Sequence, residues 1–152
     1  MTLIFEIWSC GSARKKNYVN RPTFVEPESS IMYLGLKIWC EDKYHNVPGA
    51  EEYTHSIQTL SKARDTFHSI SELPEGAKVG IVGAGLSGIE LASELRESRS
   101  DLEIYLYDRG PRILRNFPEK LSKYVAKWFA KNNVTVVPNS NINKVEPGKI
   151  YN

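Results

Sequence analysis

The chain has 152 residues, enough for one medium domain or two very small ones, and its 41% apolar and 25% charged residues fit a globular protein. Twenty Lys and Arg nearly balance eighteen Asp and Glu, so the formal charge of +2 argues against a polybasic nucleic-acid binder. Two cysteines, Cys10 and Cys40, are too few for a disulfide-stapled scaffold, and no apolar run approaches the about 20 residues that span a bilayer.

In chain order, residues 1–45 read as irregular: apolar clusters (Leu3 to Trp8, Ile31 to Trp39) alternate with a basic stretch and a Pro/Glu segment, without a period of 2 or 3.6. The start has no basic region ahead of its apolar residues and Glu6 interrupts them, so no signal peptide is expected and a cytoplasmic protein is the default. Pro48-Gly49 marks a turn, and residues 46–77 read as a linker and helix. The helix is expected over 54–72, with Ile57, Leu60, Ala63, Phe67 and Ile70 on its apolar side. Strands are expected at 78–82, 103–107 and 134–137, and a fourth at 142–146 before the Pro147-Gly148 turn. Helices are expected at 87–97 and 118–131, the latter with a stripe of Leu121, Tyr124, Val125, Trp128 and Phe129. Strand–helix alternation from residue 78 argues for an α/β domain with a parallel sheet.

One motif carries chemistry. Val82 is followed by Gly83-Ala84-Gly85-Leu86-Ser87-Gly88, a G-x-G-x-x-G between an expected strand and an expected helix. Gly83 permits the tight turn, Gly85 admits a pyrophosphate close to the backbone, and Gly88 lets helix and strand approach. The helix N-terminus then offers free N–H groups to the phosphates, with Ser87 able to bond a phosphate or cap the helix. Asp108 stands at the end of the second expected strand, where an acid can accept hydrogen bonds from the adenosine ribose and repel a 2′-phosphate. NADH is therefore expected over NADPH, although Arg109 and Arg112 lie close enough to accept a phosphate. The alternative is a glycine turn in a domain that binds nothing.

The runs KVGIVGAGLSGIELASELRE and EIYLYDRGPRILRNFPEKLSKYVAKWFAKNNVTVV resemble the NAD(P)H-binding domain of the pyridine-nucleotide-dependent FAD oxidoreductases, most nearly the type II NADH dehydrogenases (NADH:quinone oxidoreductases). The matching positions are Gly88-Ile89-Glu90-Leu91-Ala92, Asp108-Arg109 with Arg112-Ile113-Leu114, and Val134-Thr135-Val136. The segment NVPGAEEY and the helix after it resemble the family's crossover from its FAD domain. The resemblance implies a Rossmann-like dinucleotide-binding domain over 78–152, cut short at its C-terminal end and preceded by a crossover helix and an irregular N-terminal segment. It implies NADH as cofactor, FAD and a quinone acceptor in an intact enzyme, and a place for Glu90 beside the nicotinamide, orienting it or relaying protons. The alternative reading of Glu90 is an ordinary acid that complements the helix N-terminus.

The pattern breaks upstream. Residues 1–45 hold only Gly11 and Gly35, so the family's FAD glycine loop is missing, and this stretch reads as a truncated or aberrant remnant of an FAD domain. By the resemblance, membrane contact belongs to segments absent here, leaving a peripheral place at the cytoplasmic membrane face for a full-length form. Two alternatives stand beside the enzyme: a free-standing dinucleotide-binding module without redox activity, and a fragment of a soluble flavoprotein reductase. His45, His55 and His68 lack metal-ligand spacing, so no metal is expected, and Ser87 is not in a nucleophile elbow.

Overall fold

The computed structural model describes residues 2–6 and 46–152; the remaining reading of residues 7–45 lies outside the described residues. Four parallel strands form one sheet in the order β1 (Thr2–Glu6), β2 (Lys78–Val82), β3 (Glu103–Tyr107), β4 (Val134–Val137). The β2, β3 and β4 boundaries match those read from the sequence. The strand β1 lies within the stretch read as irregular. Its pairing with β2 runs from Thr2 opposite Lys78 to Glu6 opposite Val82. Five residues are too short for a period to emerge among irregular neighbours.

β2 is a continuous buried run after Lys78, as befits a strand covered on both faces. β3 alternates: Ile104 and Leu106 are buried, while Tyr105 and Tyr107 are half-buried and stack on each other at 6.4 Å. Parallel neighbours need a crossover, and helices supply it. α3 (Leu86–Ser98) joins β2 to β3, and α4 (Glu119–Lys131) joins β3 to β4. The main core gathers Val79, Ile81, Ile104 and Leu106 from the sheet, Ala92 and Leu95 from α3, and Phe129 from α4. Ile70 and Leu73 reach it from the segment before β2.

Three expectations are corrected. First, the helix expected over 54–72 starts late, as α2 (Leu60–Ser71). Thr59 caps it, its hydroxyl accepting from Lys62 N at 3.2 Å, so residues 54–59 stay largely extended. The buried stripe is Thr66, Ile70 and then Leu73, while Leu60 and Phe67 are about two-thirds exposed. Second, α4 buries Ser122 and Phe129, with Val125, Ala126 and Trp128 packed beside the core, and leaves Tyr124 exposed. Third, the strand expected over 142–146 is shorter, covering residues 144–146. They form β5 (Lys144–Glu146), which pairs antiparallel with β6 (Lys149–Tyr151) across Pro147-Gly148. A two-residue connection permits a hairpin and forbids a parallel neighbour.

The linker also holds a short helix, α1 (Ala50–Tyr53), not expected from the sequence. Gly49 precedes it at φ 78°, and a Cβ there would lie 2.1 Å from the Val145 carbonyl oxygen. Only glycine admits this approach, which lets Val145 N donate to Pro48 O at 2.9 Å. Ala50, Val82 and Val145 form a second small core there. Among the described residues no helix is long and apolar enough to cross a membrane.

Candidate dinucleotide site

The glycine loop leaves β2 at its C-terminal end, where ligands gather in open α/β sheets. Gly83 turns at φ 108°, a conformation that favours glycine, and its N–H donates to Tyr107 O at 2.8 Å. Gly85 is the N-cap of α3 in an extended conformation and offers no side chain to cap it. The first amides of α3, at Leu86, Ser87 and Gly88, therefore have no carbonyl one turn behind them. Their N–H groups and the helix dipole favour an anion at this end. Gly88 is buried, and a Cβ on it would fall 1.9 Å from Gly83 O. The close approach of loop and helix thus demands the third glycine.

Asp108 fixes this loop. Its carboxylate accepts from Ala84 N at 2.8 Å through one oxygen and from Gly110 N at 2.7 Å through the other. Each oxygen keeps a further lone pair able to accept a hydroxyl. The backbone around Asp108 is tied as well: its N–H donates to Val137 O, and its carbonyl accepts from Ser140 N. Leu114 N donates to Ala84 O at 2.9 Å, so both polar groups of Ala84 are held by the segment that follows β3. Beside the site, burial pushes the Tyr107 phenol above its ordinary value, with Tyr105 adding to the effect, so Tyr107 stays neutral.

The sequence-expected residues fall into three groups. Gly83, Ala84, Gly85, Gly88 and Asp108 come together at the C-terminal ends of β2 and β3, with Asp108 bonded to Ala84 and Gly88 packed on Gly83. Leu86, Ser87, Glu90 and Arg109 are exposed around it, with Glu90 on the helix just after Gly88. Arg112 departs from expectation. Its guanidinium donates to Leu114 O at 3.2 Å and to Arg115 O and Phe117 O at 2.8 and 3.1 Å, rather than standing free for a 2′-phosphate. The loop residues Ile113 and Leu114 escaped the sequence reading of the site. Both are buried, and Ser122 of α4 donates to Ile113 O at 2.7 Å. The sequence marks them only as part of the Arg112-Ile113-Leu114 motif, without a role, because their partners are backbone atoms.

Comparison with known proteins identifies the family and the fold. A family model described as pyridine nucleotide-disulphide oxidoreductase matches residues 40–150. A NADH dehydrogenase-like protein of Bacillus subtilis, YutJ, is 61% identical over 125 residues, covering 82% of this chain and 34% of the relative. The chain thus spans about a third of that relative's length. An external alternative NAD(P)H-ubiquinone oxidoreductase of Arabidopsis thaliana, B3, is 23% identical, covering 90% of this chain and 28% of the relative. Among solved structures, NDH2 of Plasmodium falciparum in complex with NADH superposes with a TM-score of 0.61 at 20% identity, covering 70% of this chain and 27% of that one. At that identity the likeness speaks for the fold. Over residues 40–150 the chain belongs to the pyridine nucleotide-disulphide oxidoreductase family.

Proposed function

We propose that this chain is the NADH-binding part of an FAD-dependent NADH dehydrogenase that passes electrons to a quinone. The observation that carries the reading is the Gly83–Gly88 turn, opened at the N-terminus of α3 and tied to Asp108. The names of the relatives, a NADH dehydrogenase-like protein and an NAD(P)H-ubiquinone oxidoreductase, support the reaction class.

In this reading the amides of Gly85 to Gly88 and the Ser87 hydroxyl hold the pyrophosphate. Asp108 accepts from the adenosine ribose while keeping its bonds to Ala84 and Gly110. Glu90 stands beside the nicotinamide. FAD, when bound, accepts the hydride that NADH gives up. Among the described residues there is one strand–glycine loop–helix unit, and its fixed acid suits NADH. A full-length form would sit peripherally at the cytoplasmic membrane face, where quinone is dissolved.

Asp108 also sets the choice of nucleotide. A 2′-phosphate would lie against its carboxylate, and like charges in a partly desolvated site cost several kcal/mol. Fluorescence titration of the chain should show NADH binding at least about tenfold tighter than NADPH, the equivalent of about 1.4 kcal/mol. Gly85→Val should abolish binding of both while far-UV circular dichroism stays unchanged. Equal affinity for the two nucleotides would transfer control of the site to Arg109, and undiminished binding by Gly85→Val would remove the glycine loop from it.

A further inference from the structure

We propose that Arg112 is a positioning residue for the dinucleotide's pyrophosphate, acting through backbone and without touching the ligand. The proposal rests on the dinucleotide reading above. Its basis is a chain of bonds that begins at the guanidinium and ends at an amide of the glycine loop.

The Arg112 fork gathers the carbonyls of Leu114, Arg115 and Phe117 and so closes the loop between β3 and α4 into a tight turn. Inside that turn Leu114 is held at φ 50°, a left-handed conformation that a leucine rarely adopts unless its surroundings impose it. Its side chain is buried, and its N–H is thereby aimed at Ala84 O, 2.9 Å away. The Ala84 carbonyl and the Gly85 N–H belong to one planar trans peptide. Fixing the carbonyl therefore fixes the N–H on the opposite side, at the N-cap of α3. Ser122 supports the same loop from α4 through Ile113 O at 2.7 Å.

Without the fork, Leu114 loses one of the restraints that keep it left-handed, and the bond that orients the Ala84–Gly85 peptide weakens. The donor array at the helix N-terminus must then be ordered at the moment of binding, which weakens affinity. NADH and NADPH share the pyrophosphate, so both suffer alike. A guanidinium that contacted the 2′-phosphate would instead discriminate between them.

The test titrates the 152-residue chain, Arg112→Gln, Arg112→Lys and Ser122→Ala with NADH and with NADPH. It also follows hydrogen exchange of residues 110–117 without ligand. Arg112→Gln should weaken both nucleotides by about tenfold, as loss of one charge-assisted hydrogen bond does, with their ratio unchanged and exchange accelerated. Arg112→Lys restores the charge but not the fork and should rescue neither. Ser122→Ala, which carries no charge, should weaken both equally by about threefold, the smaller effect of a neutral bond. Loss confined to NADPH, rescue by lysine, or unchanged affinity with accelerated exchange each overturns the proposal. If Arg112→Gln does not fold, Arg112→Lys decides, since undiminished affinity there overturns the proposal. A wild-type chain that binds neither nucleotide overturns the dinucleotide reading itself, a result seen before any variant is compared.

Discussion

The Asp108 carboxylate carries one proposed contact and one structural role. Sequence spacing assigns it to a ribose, and the structure adds that it holds the glycine loop through Ala84 and the following turn through Gly110. The structural role makes a prediction independent of any ligand. In Asp108→Asn one amide oxygen can replace one acceptor, but the amide nitrogen then faces a backbone N–H. One donor is left unsatisfied in a partly buried place, at a cost of about 2 kcal/mol. Urea unfolding should show that loss, and NADH affinity should fall with it. A variant of wild-type stability would mean that water replaces the lost acceptor. Asp108 was legible because an acid at the end of a strand has a known use at that spacing. Arg112 was legible only as a charge. Its role depends on three carbonyls brought within reach by a left-handed leucine, and neither carbonyls nor dihedrals are written in side-chain identity.

Elements were read well where their periodicity is strong and poorly where polar side chains do the packing. α2 illustrates the difference. An apolar stripe through Leu60 and Phe67 looked convincing, yet the helix buries Thr66, whose hydroxyl donates to Ser56 O at 2.9 Å. The end of α3 shows the same effect. Arg96 donates to Ser100 O, Leu102 O and Asn133 O, tying the helix to the starts of β3 and β4. Arg99 donates to Ile70 O and Leu73 O and forms a two-pronged pair with Asp101, tying the same helix end to the end of α2. Arg96→Met keeps the aliphatic stem but strands these carbonyls. It should cost about 2 kcal/mol by urea unfolding and accelerate hydrogen exchange at residues 100–104. Phe129→Ala, which empties the centre of the core, should cost about 4 kcal/mol. If Arg96→Met matches wild type in both measurements, the arginine decorates the helix end without holding it.

Among the described residues, the groups with shifted pKa values place acid sensitivity in two separate ranges. His55 is half-buried, and burial lowers its pKa below the ordinary 6.5, with Asp65 opposing the shift in part. Below that value the unfolded chain binds a proton that the folded chain resists. Stability from this source is therefore complete above about pH 6.5 and is lost as pH falls through it. The second range belongs to carboxylates. Arg99 holds Asp101 below its ordinary 3.8, while Lys123 holds Glu119, and Lys144 with Tyr151 holds Glu146, below 4.5. Their stabilisation is complete above those values and disappears only in stronger acid. The two ranges should separate cleanly in experiment. Between about pH 7.5 and 5.5 the urea midpoint of the wild-type chain should fall, and His55→Gln should flatten that slope. Below about pH 4.5 both proteins should lose stability together. Added salt should reduce the second loss, because Glu119 and Lys123 are well exposed and readily screened, while leaving the first nearly unchanged. The discriminating measurement is the slope near pH 6: if His55→Gln keeps it, the proton is taken up elsewhere and burial of His55 does not set the acid limb.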